Sequence, residues 1–332
     1  MNRSISRRSF LSGSAVALAG LAAFGLAGCG ASGSTTAATT DAAPSTVTIK
    51  SFNANKEEID LEVPYDPQRI AILDLASLDI LNSLGLGERV VGSATTSIDY
   101  LQGYVGKDGI ANLGTIKEAD LEAVAGCEPD IIFIGGRLSK SYDALAEIAP
   151  VVFLSTDAEK GVVESVRDNA TTIASIFGKQ GEVESKMSGF DGRIAKLKAA
   201  AEGQTALVGL FTSGGFNVLG NDGRCSIIGN EVGFTNLAAT EVTSTHGNEV
   251  SFETVVAENP DWMFVLNRDA AIGSDGADQA QEVVENDLTK QTSAYANGRI
   301  VYLEHPAVWY TAEGGIEALD VMLADLEAAV LA

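Results

Sequence analysis

The sequence predicts an α/β protein of two similar lobes, each with a mostly parallel central sheet flanked by helices, joined by one long helix. Three observations predict it. Leu121-Glu122-Ala123-Val124, four residues, then Pro129-Asp130-Ile131-Ile132-Phe133 and Arg137 align without a gap on Phe252-Glu253-Thr254-Val255, four residues, then Pro260-Asp261-Trp262-Met263-Phe264 and Arg268, at a constant offset of 131 residues. Each copy reads as a short helix with an acid in its first turn, a Pro-Asp turn, an apolar strand and an arginine just past the strand. Around both copies, strand-like and helix-like segments alternate, the order of a largely parallel sheet. Between them, residues 162–177 have helical spacing with no Gly or Pro, enough for a rod of about 24 Å at 1.5 Å per residue.

Residues 1–28 carry three arginines and no acid, and Arg7-Arg8 precede an uncharged run from Ser9 to Gly28. This is the pattern of an export signal rather than of a folded segment. Ser6-Arg7-Arg8-Ser9-Phe10-Leu11 resembles a twin-arginine motif, and Leu26-Ala27-Gly28-Cys29 a lipobox, in which Cys29 is lipidated. A run of about 20 apolar residues also has the length of a membrane anchor, but no basic cluster follows to stop transfer. Residues 29–45, rich in Ala, Ser, Thr and Gly, read as a flexible tether. The expected divisions beyond it are an N-terminal lobe at 46–160, the interlobe helix at 161–181 and a C-terminal lobe at 182–332.

Within the first lobe, a strand begins at Val47-Thr48-Ile49, Pro64 and Pro67 break the chain, and residues 69–73 form a second strand. A helix follows over 77–84. The glycines of 85–92 leave a helix and enter a strand, the reverse of a dinucleotide loop, so they read as a turn. Beyond the first repeat copy come a helix at 140–148 and a strand at 150–154. Residues 182–201 are helical but weakened by Gly189 and Gly192. The second lobe has strands at 206–211 and 299–303, helices at 226–232 and 278–286, Ser251 as the cap of the second repeat helix, and an amphipathic helix from 314 onward.

With 22 basic against 45 acidic residues the chain carries −23. Without the three signal arginines, 19 basic residues remain and the charge is −26, which repels nucleic acid and anionic membrane surfaces. Cys127 and Cys225 fall one in each lobe and read as small buried hydrophobes rather than a disulfide pair.

In open α/β sheets ligands bind beyond the carboxyl ends of the strands, where the repeat places Arg137 and Arg268. Their planar donor forks suit an oxyanion. The alternative is a pair of surface ion pairs, such as Arg268 with Asp269. Arg224, in the glycine-rich loop 220–224, is a third candidate. The two histidines are His246, in a polar loop, and His305; no zinc-type Cys/His spacing occurs. Trp309-Tyr310 reads as a hydrophobic cap or as part of a site. If His246 and Tyr310 converge, imidazole and phenolate can both ligate ferric iron. No G-x-S-x-G, P-loop or H-E-x-x-H motif is present.

Gly135-Gly136-Arg137, Ser139-Lys140-Ser141-Tyr142, Ser244-Thr245-His246-Gly247, Val250-Ser251-Phe252-Glu253, Asn267-Arg268-Asp269-Ala270-Ala271-Ile272-Gly273 and Trp309-Tyr310 together resemble the solute-binding lipoproteins of ABC importers for ferric siderophores of the catecholate and petrobactin type. The resemblance covers nearly all of the chain after the tether. It implies a class III periplasmic-binding-protein-like fold with small closure, and Arg137, Arg224 and Arg268 around an anionic iron chelate, with Trp309 beside them. It implies that His246 and Tyr310 complete the iron's coordination when the siderophore supplies four oxygens, and that Glu122 and Glu253 form salt bridges with arginines of the permease. It also implies a monomer with no intrinsic cofactor, tied to the outer face of the cytoplasmic membrane by lipid alone and delivering to a permease dimer with its ATPase. Where that family usually has an aromatic after the loop arginine, this chain has Arg224-Cys225-Ser226, which bears on which siderophore fits. A haem or cobalamin receptor of the same fold is the alternative, and an exported enzyme acting on an anionic substrate a more distant one.

Overall fold

The computed structural model describes residues 44–239, 243–244 and 246–332. The expected signal segment, Cys29 and nearly all of the tether lie outside them, as does Thr245 of the histidine loop. Among the described residues no helix is long and apolar enough to cross a membrane.

Two sheets organise the fold. An antiparallel hairpin of β1 (Thr46–Phe52) and β2 (Glu58–Pro64) comes first. The first sheet joins β3 (Ile70–Leu73), β4 (Val90–Ser93), β5 (Ala111–Asn112), β6 (Ile131–Ile134) and β7 (Val151–Phe153). Its order is β5-β4-β3-β6-β7, parallel throughout. The second contains β8 (Thr205–Thr212), β9 (Gly215–Val218), β10 (Thr235–Asn236), β11 (Asn248–Glu249), β12 (Trp262–Asn267) and β13 (Ile300–Tyr302). Strands β10, β8, β12 and β13 are parallel, while β9 and β11 extend the other side antiparallel.

The repeat copies supply the equivalent strands: β6 lies between β3 and β7, and β12 between β8 and β13. Their Pro-Asp turns act alike. Asp130 Oδ2 accepts from the amides of Gln68 and Arg69 at 2.8 and 2.9 Å, at the start of β3. Asp261 Oδ2 accepts from Thr205 N and Oγ1 at 2.9 and 2.8 Å, at the start of β8. Each aspartate therefore fixes where the neighbouring strand begins.

Both faces of both sheets are covered, which is why their strands are continuously apolar. Ile70, Ile72, Ile131, Phe133, Val208, Leu210, Phe264 and Leu266 point into one apolar layer shared by the two halves. Ala71, Leu73, Ile132 and Ile134 pack on the outer face of the first sheet, and Leu207, Phe211, Met263 and Val265 on that of the second. The shared layer includes the helix Val162–Ile176, the long rod expected between the halves, and the helix Ile316–Val330. That last helix packs against Leu75–Ser83 of the first half as well as against neighbours in the second.

Some expectations change in detail. The stretch 182–201 is two helices, Gln180–Met187 and Phe190–Ala201, broken at Gly189. The segment before Pro64 is a full strand, and the second sheet is mixed because the chain reverses after β8 at Ser213-Gly214, both at positive φ.

Both long helices of the shared layer begin on a glycine with no side chain to cap them, and each is capped from the opposite half. Glu231 Oε1 accepts from Val162 N and Val163 N, at 2.5 and 3.3 Å. Asp79 accepts from Glu317 N and Ala318 N, each at 2.9 Å, and from the Tyr100 hydroxyl at 2.6 Å. The approaches are close: a Cβ on Gly161, whose φ is +86°, would lie 2.6 Å from Glu231 Oε1, and one on Gly315 would lie 2.4 Å from Asp79 Cγ.

Candidate functional site

Arg137 follows β6 in the turn Gly136–Ser141, and Arg268 opens the helix Arg268–Ala271 after β12, capped by Asn267. Arg224 ends the loop before the short helix Ile227–Asn230, and Tyr310 lies in the helix Pro306–Thr311. These four residues from separate parts of the chain converge. The guanidinium carbons of Arg137, Arg224 and Arg268 lie 5.5, 4.3 and 5.7 Å from the centre of the Tyr310 ring. Arg137 Nη2 donates to the Tyr310 carbonyl at 3.2 Å, and Arg268 Nε to the Tyr310 hydroxyl at 3.1 Å.

The electrostatics follow from this crowding. Arg137 is held below the usual guanidinium range, first by burial and then by the charge of Arg224, despite the opposing pull of Tyr310 and Asp74. Burial by itself would raise the Tyr310 phenol. The hydrogen bond from Arg268 and the charges of Arg224, Arg268 and Arg137 outweigh burial and bring it below its ordinary value. Three cations around one ring repel one another, and an anion placed among them relieves that repulsion. The ion pair with Asp269 also exists: Arg268 Nη1 reaches Asp269 Oδ1 at 3.4 Å and the Thr212 hydroxyl at 3.1 Å. It leaves Nε on Tyr310.

The cavity beside the ring holds about 420 Å³ and is lined from both halves, by Asp74 and Arg137 on one side and by Arg224, Tyr310 and Glu313 on the other, with Asn169 of the long helix. His246 is exposed. Its imidazole is held below the usual value by partial burial and by the positive charges of Arg268, Arg224, Lys117 and Arg137.

Trp309 departs from the expectation that it touches the ligand. It is 0% exposed and its indole N–H donates to Asp325 Oδ2 at 2.8 Å. The same carboxylate accepts from His305 N at 3.1 Å and pairs with His305 Nδ1 at 2.7 Å. Trp309 thus pins the Tyr310 helix to the last helix and takes the hydrophobic-cap role, because at helical spacing only one of two adjacent aromatics can face the cleft.

Cys225, at the position where the resembled family usually has an aromatic, is buried in a left-handed conformation with φ +63°, and its amide donates to Glu313 Oε1 at 3.1 Å. Cys127 and Cys225 are both free and buried. Glu122 and Glu253 are exposed in the first turns of the helices Leu121–Gly126 and Phe252–Glu258, capped by Asp120 and Ser251. Sequence reasoning missed Asp74 and Glu313; neither lies in the repeat, and only the distant residues that close the cavity around them mark them out.

Two like α/β halves about one long helix form the architecture of a two-lobed solute-binding protein. The chain belongs to the periplasmic binding protein family, whose sequence pattern matches residues 70–307. It is 33% identical over 289 residues to the petrobactin-binding protein YclQ of Bacillus subtilis (strain 168), covering 84% of this chain and 90% of that protein. The crystal structure of YclQ is similar with a TM-score of 0.79 at 32% identity, covering 86% of this chain and 98% of the other. The iron uptake ABC transporter substrate-binding protein PiuA from Streptococcus pneumoniae Canada MDR_19A has a TM-score of 0.78 at 34% identity, covering 87% and 100% of the two chains. The periplasmic catecholate-siderophore binding protein VctP from Vibrio cholerae has a TM-score of 0.77 at 29% identity, covering 85% and 100%.

Proposed function

We propose that the protein is the extracytoplasmic receptor of an ABC importer, capturing a ferric siderophore of the catecholate type in the cleft and delivering it to the permease. The observation that carries this reading is the convergence of Arg137, Arg224 and Arg268 on Tyr310. A ferric catecholate is anionic and rich in oxygen acceptors, and a charge-assisted hydrogen bond contributes roughly 1.5–3 kcal/mol. The body's negative charge is screened beyond about 8 Å, so the local arginines decide the sign of the ligand. The names of YclQ and VctP agree with that chemistry.

In this reading the protein binds and releases without catalysis. Tyr310, whose phenol is brought below its ordinary value by the arginines, and His246 ligate iron directly when a siderophore leaves two positions open. Glu122 and Glu253, one per half, meet arginines of a permease dimer that works with its ATPase. The lobes divide at 46–160 and 182–332 around an interlobe segment 161–181. The protein acts as a monomer held at the outer face of the cytoplasmic membrane by lipid on Cys29.

Titration of the intrinsic tryptophan fluorescence with ferric catecholates, tetradentate ones included, tests the reading. Saturable quenching is expected, with no Soret shift on adding haem. A flat response to every ferric catecholate would sink it.

A further inference from the structure

The cavity lined by Arg137, Arg224 and Lys56 is also lined by two carboxyl groups. Glu313, three residues after Tyr310, uses Oε1 to accept the Cys225 amide at 3.1 Å. Asp74 uses Oδ2 to accept the amide and hydroxyl of Ser77 at 2.9 and 2.8 Å. The second oxygen of each, Glu313 Oε2 and Asp74 Oδ1, has no donor among the described residues, and both side chains line the same cavity of about 420 Å³. Both oxygens are left to water or to a donor of the ligand, and a charged donor makes a charge-assisted bond there. We propose that this cavity includes a subsite for a protonated amine of the ligand, with Glu313 as the principal acceptor and Asp74 in the same cavity. The site then takes the oxyanion-rich iron centre at the arginines around Tyr310 and a cationic arm at the two carboxyls, which narrows the ligand to chelates whose connecting chain bears an amine.

The charge environment agrees. Burial pushes Glu313 up to about 7, outweighing the positive charge of Arg224 and aided by the negative charge of Glu231. Burial likewise raises Asp74 against its bonds from Ser77 and the charge of Arg137. Each acid thus keeps one arginine beside it, Arg224 for Glu313 and Arg137 for Asp74, whose charge does not offset burial; an ammonium adds to it.

The inference rests on the receptor reading, and one experiment separates the two. The full chain is titrated by tryptophan fluorescence with two ferric bis(catecholamide) chelates, one with a secondary amine in its linker and the other with that amine acetylated. The native protein is expected to bind the amine chelate at least about 10-fold more tightly, and Glu313→Gln to reduce the ratio to within about 3-fold while still binding both. At pH 7 the amine chelate should also release more protons on binding than the acetylated one, read in buffers of different ionisation enthalpy. Equal affinity of the native protein for the two chelates would overturn the subsite and leave the receptor reading standing. So would a preference that persists in Glu313→Gln. Failure of both chelates to bind the native protein would overturn the receptor reading and the subsite with it.

Discussion

Replacing Arg268 by methionine keeps most of the side-chain volume and removes the charge. The residue it acts on most directly is Tyr310, whose hydroxyl receives Arg268 Nε at 3.1 Å and whose ring lies 5.7 Å from the Arg268 guanidinium carbon. A hydrogen bond from a charged donor favours the phenolate by roughly 1.5–3 kcal/mol, a change of about 10- to 150-fold in the ratio of phenolate to phenol. Burial is then opposed by only two arginines, and the phenol moves upward. The effect can be seen because Tyr100, Tyr104, Tyr142 and Tyr302 are all shifted the other way, with burial the largest cause in each. Alkaline titration followed at the phenolate absorption band near the ultraviolet edge should therefore show an early phase in the native protein. It should vanish in Tyr310→Phe and move to higher pH in Arg268→Met. An early phase that persists in Tyr310→Phe, or one that does not move in Arg268→Met, would refute the account of the arginine cluster.

Arg224→Ala removes the guanidinium closest to the ring, at 4.3 Å, and should weaken ferric catecholate binding by at least about 10-fold in a fluorescence titration. Glu122→Arg and Glu253→Arg, singly and together, should leave that titration unchanged while reducing uptake of iron-loaded siderophore by cells, the double variant most. Asp79→Ala strips two helix amides and the Tyr100 hydroxyl of their acceptor. The loss, offset in part because a buried carboxylate goes too, is about 2 kcal/mol, or a fall of about 3 °C in Tm by calorimetry. The pH dependence has a definite sign. Glu313 is raised from 4.5 to about 7 in the folded state, so from about pH 4.5 to 7 the folded chain holds a proton that the unfolded chain has released. Its contribution therefore falls as pH rises through that window, by up to about 3 kcal/mol. Urea midpoints at pH 5 and pH 8 should differ less for Glu313→Gln than for the native protein; equal differences would remove Glu313 from the account.

The parts legible in the sequence are those that depend on local pattern or on duplication. The repeat gives the two central strands, both acidic first turns and two of the three arginines, because each feature lies at a fixed distance from an apolar run. The repeat even implies the shared task of Asp130 and Asp261, although which strand each anchors requires the sheet order. Residues that act across the molecule carry no such mark. Asp79 and Glu231 cap helices 238 and 69 residues away in the chain, and a carboxylate inside or after a helix looks the same in sequence whether it faces solvent or a distant helix end. Asp74 reads as an ordinary helix cap, which it also is. Which of its two roles Trp309 takes is hidden for a related reason: its partner Asp325 lies a full helix further on.

The cross-capping bears on how the cleft can work. Opening the two halves as independent bodies would separate Glu231 from Val162 and Asp79 from Glu317, exposing two uncapped helix starts at about 0.5–2 kcal/mol each. It would also divide an apolar layer to which both sheets and both long helices contribute, at about 25 cal/mol for each Å² of apolar surface uncovered. A ligand held by a few charge-assisted bonds does not supply that. The direct contacts at the cleft itself, Arg137 to the Tyr310 carbonyl and Ser97 Oγ to the Ala271 carbonyl, each at 3.2 Å, are single hydrogen bonds worth about 0.5–1.5 kcal/mol, or somewhat more where the donor is charged. Movement is therefore confined to the rim. The arginines and Tyr310 stay on a nearly fixed frame, and ligand entry amounts to exchanging rim hydrogen bonds and one protein carbonyl for the oxygens of the chelate.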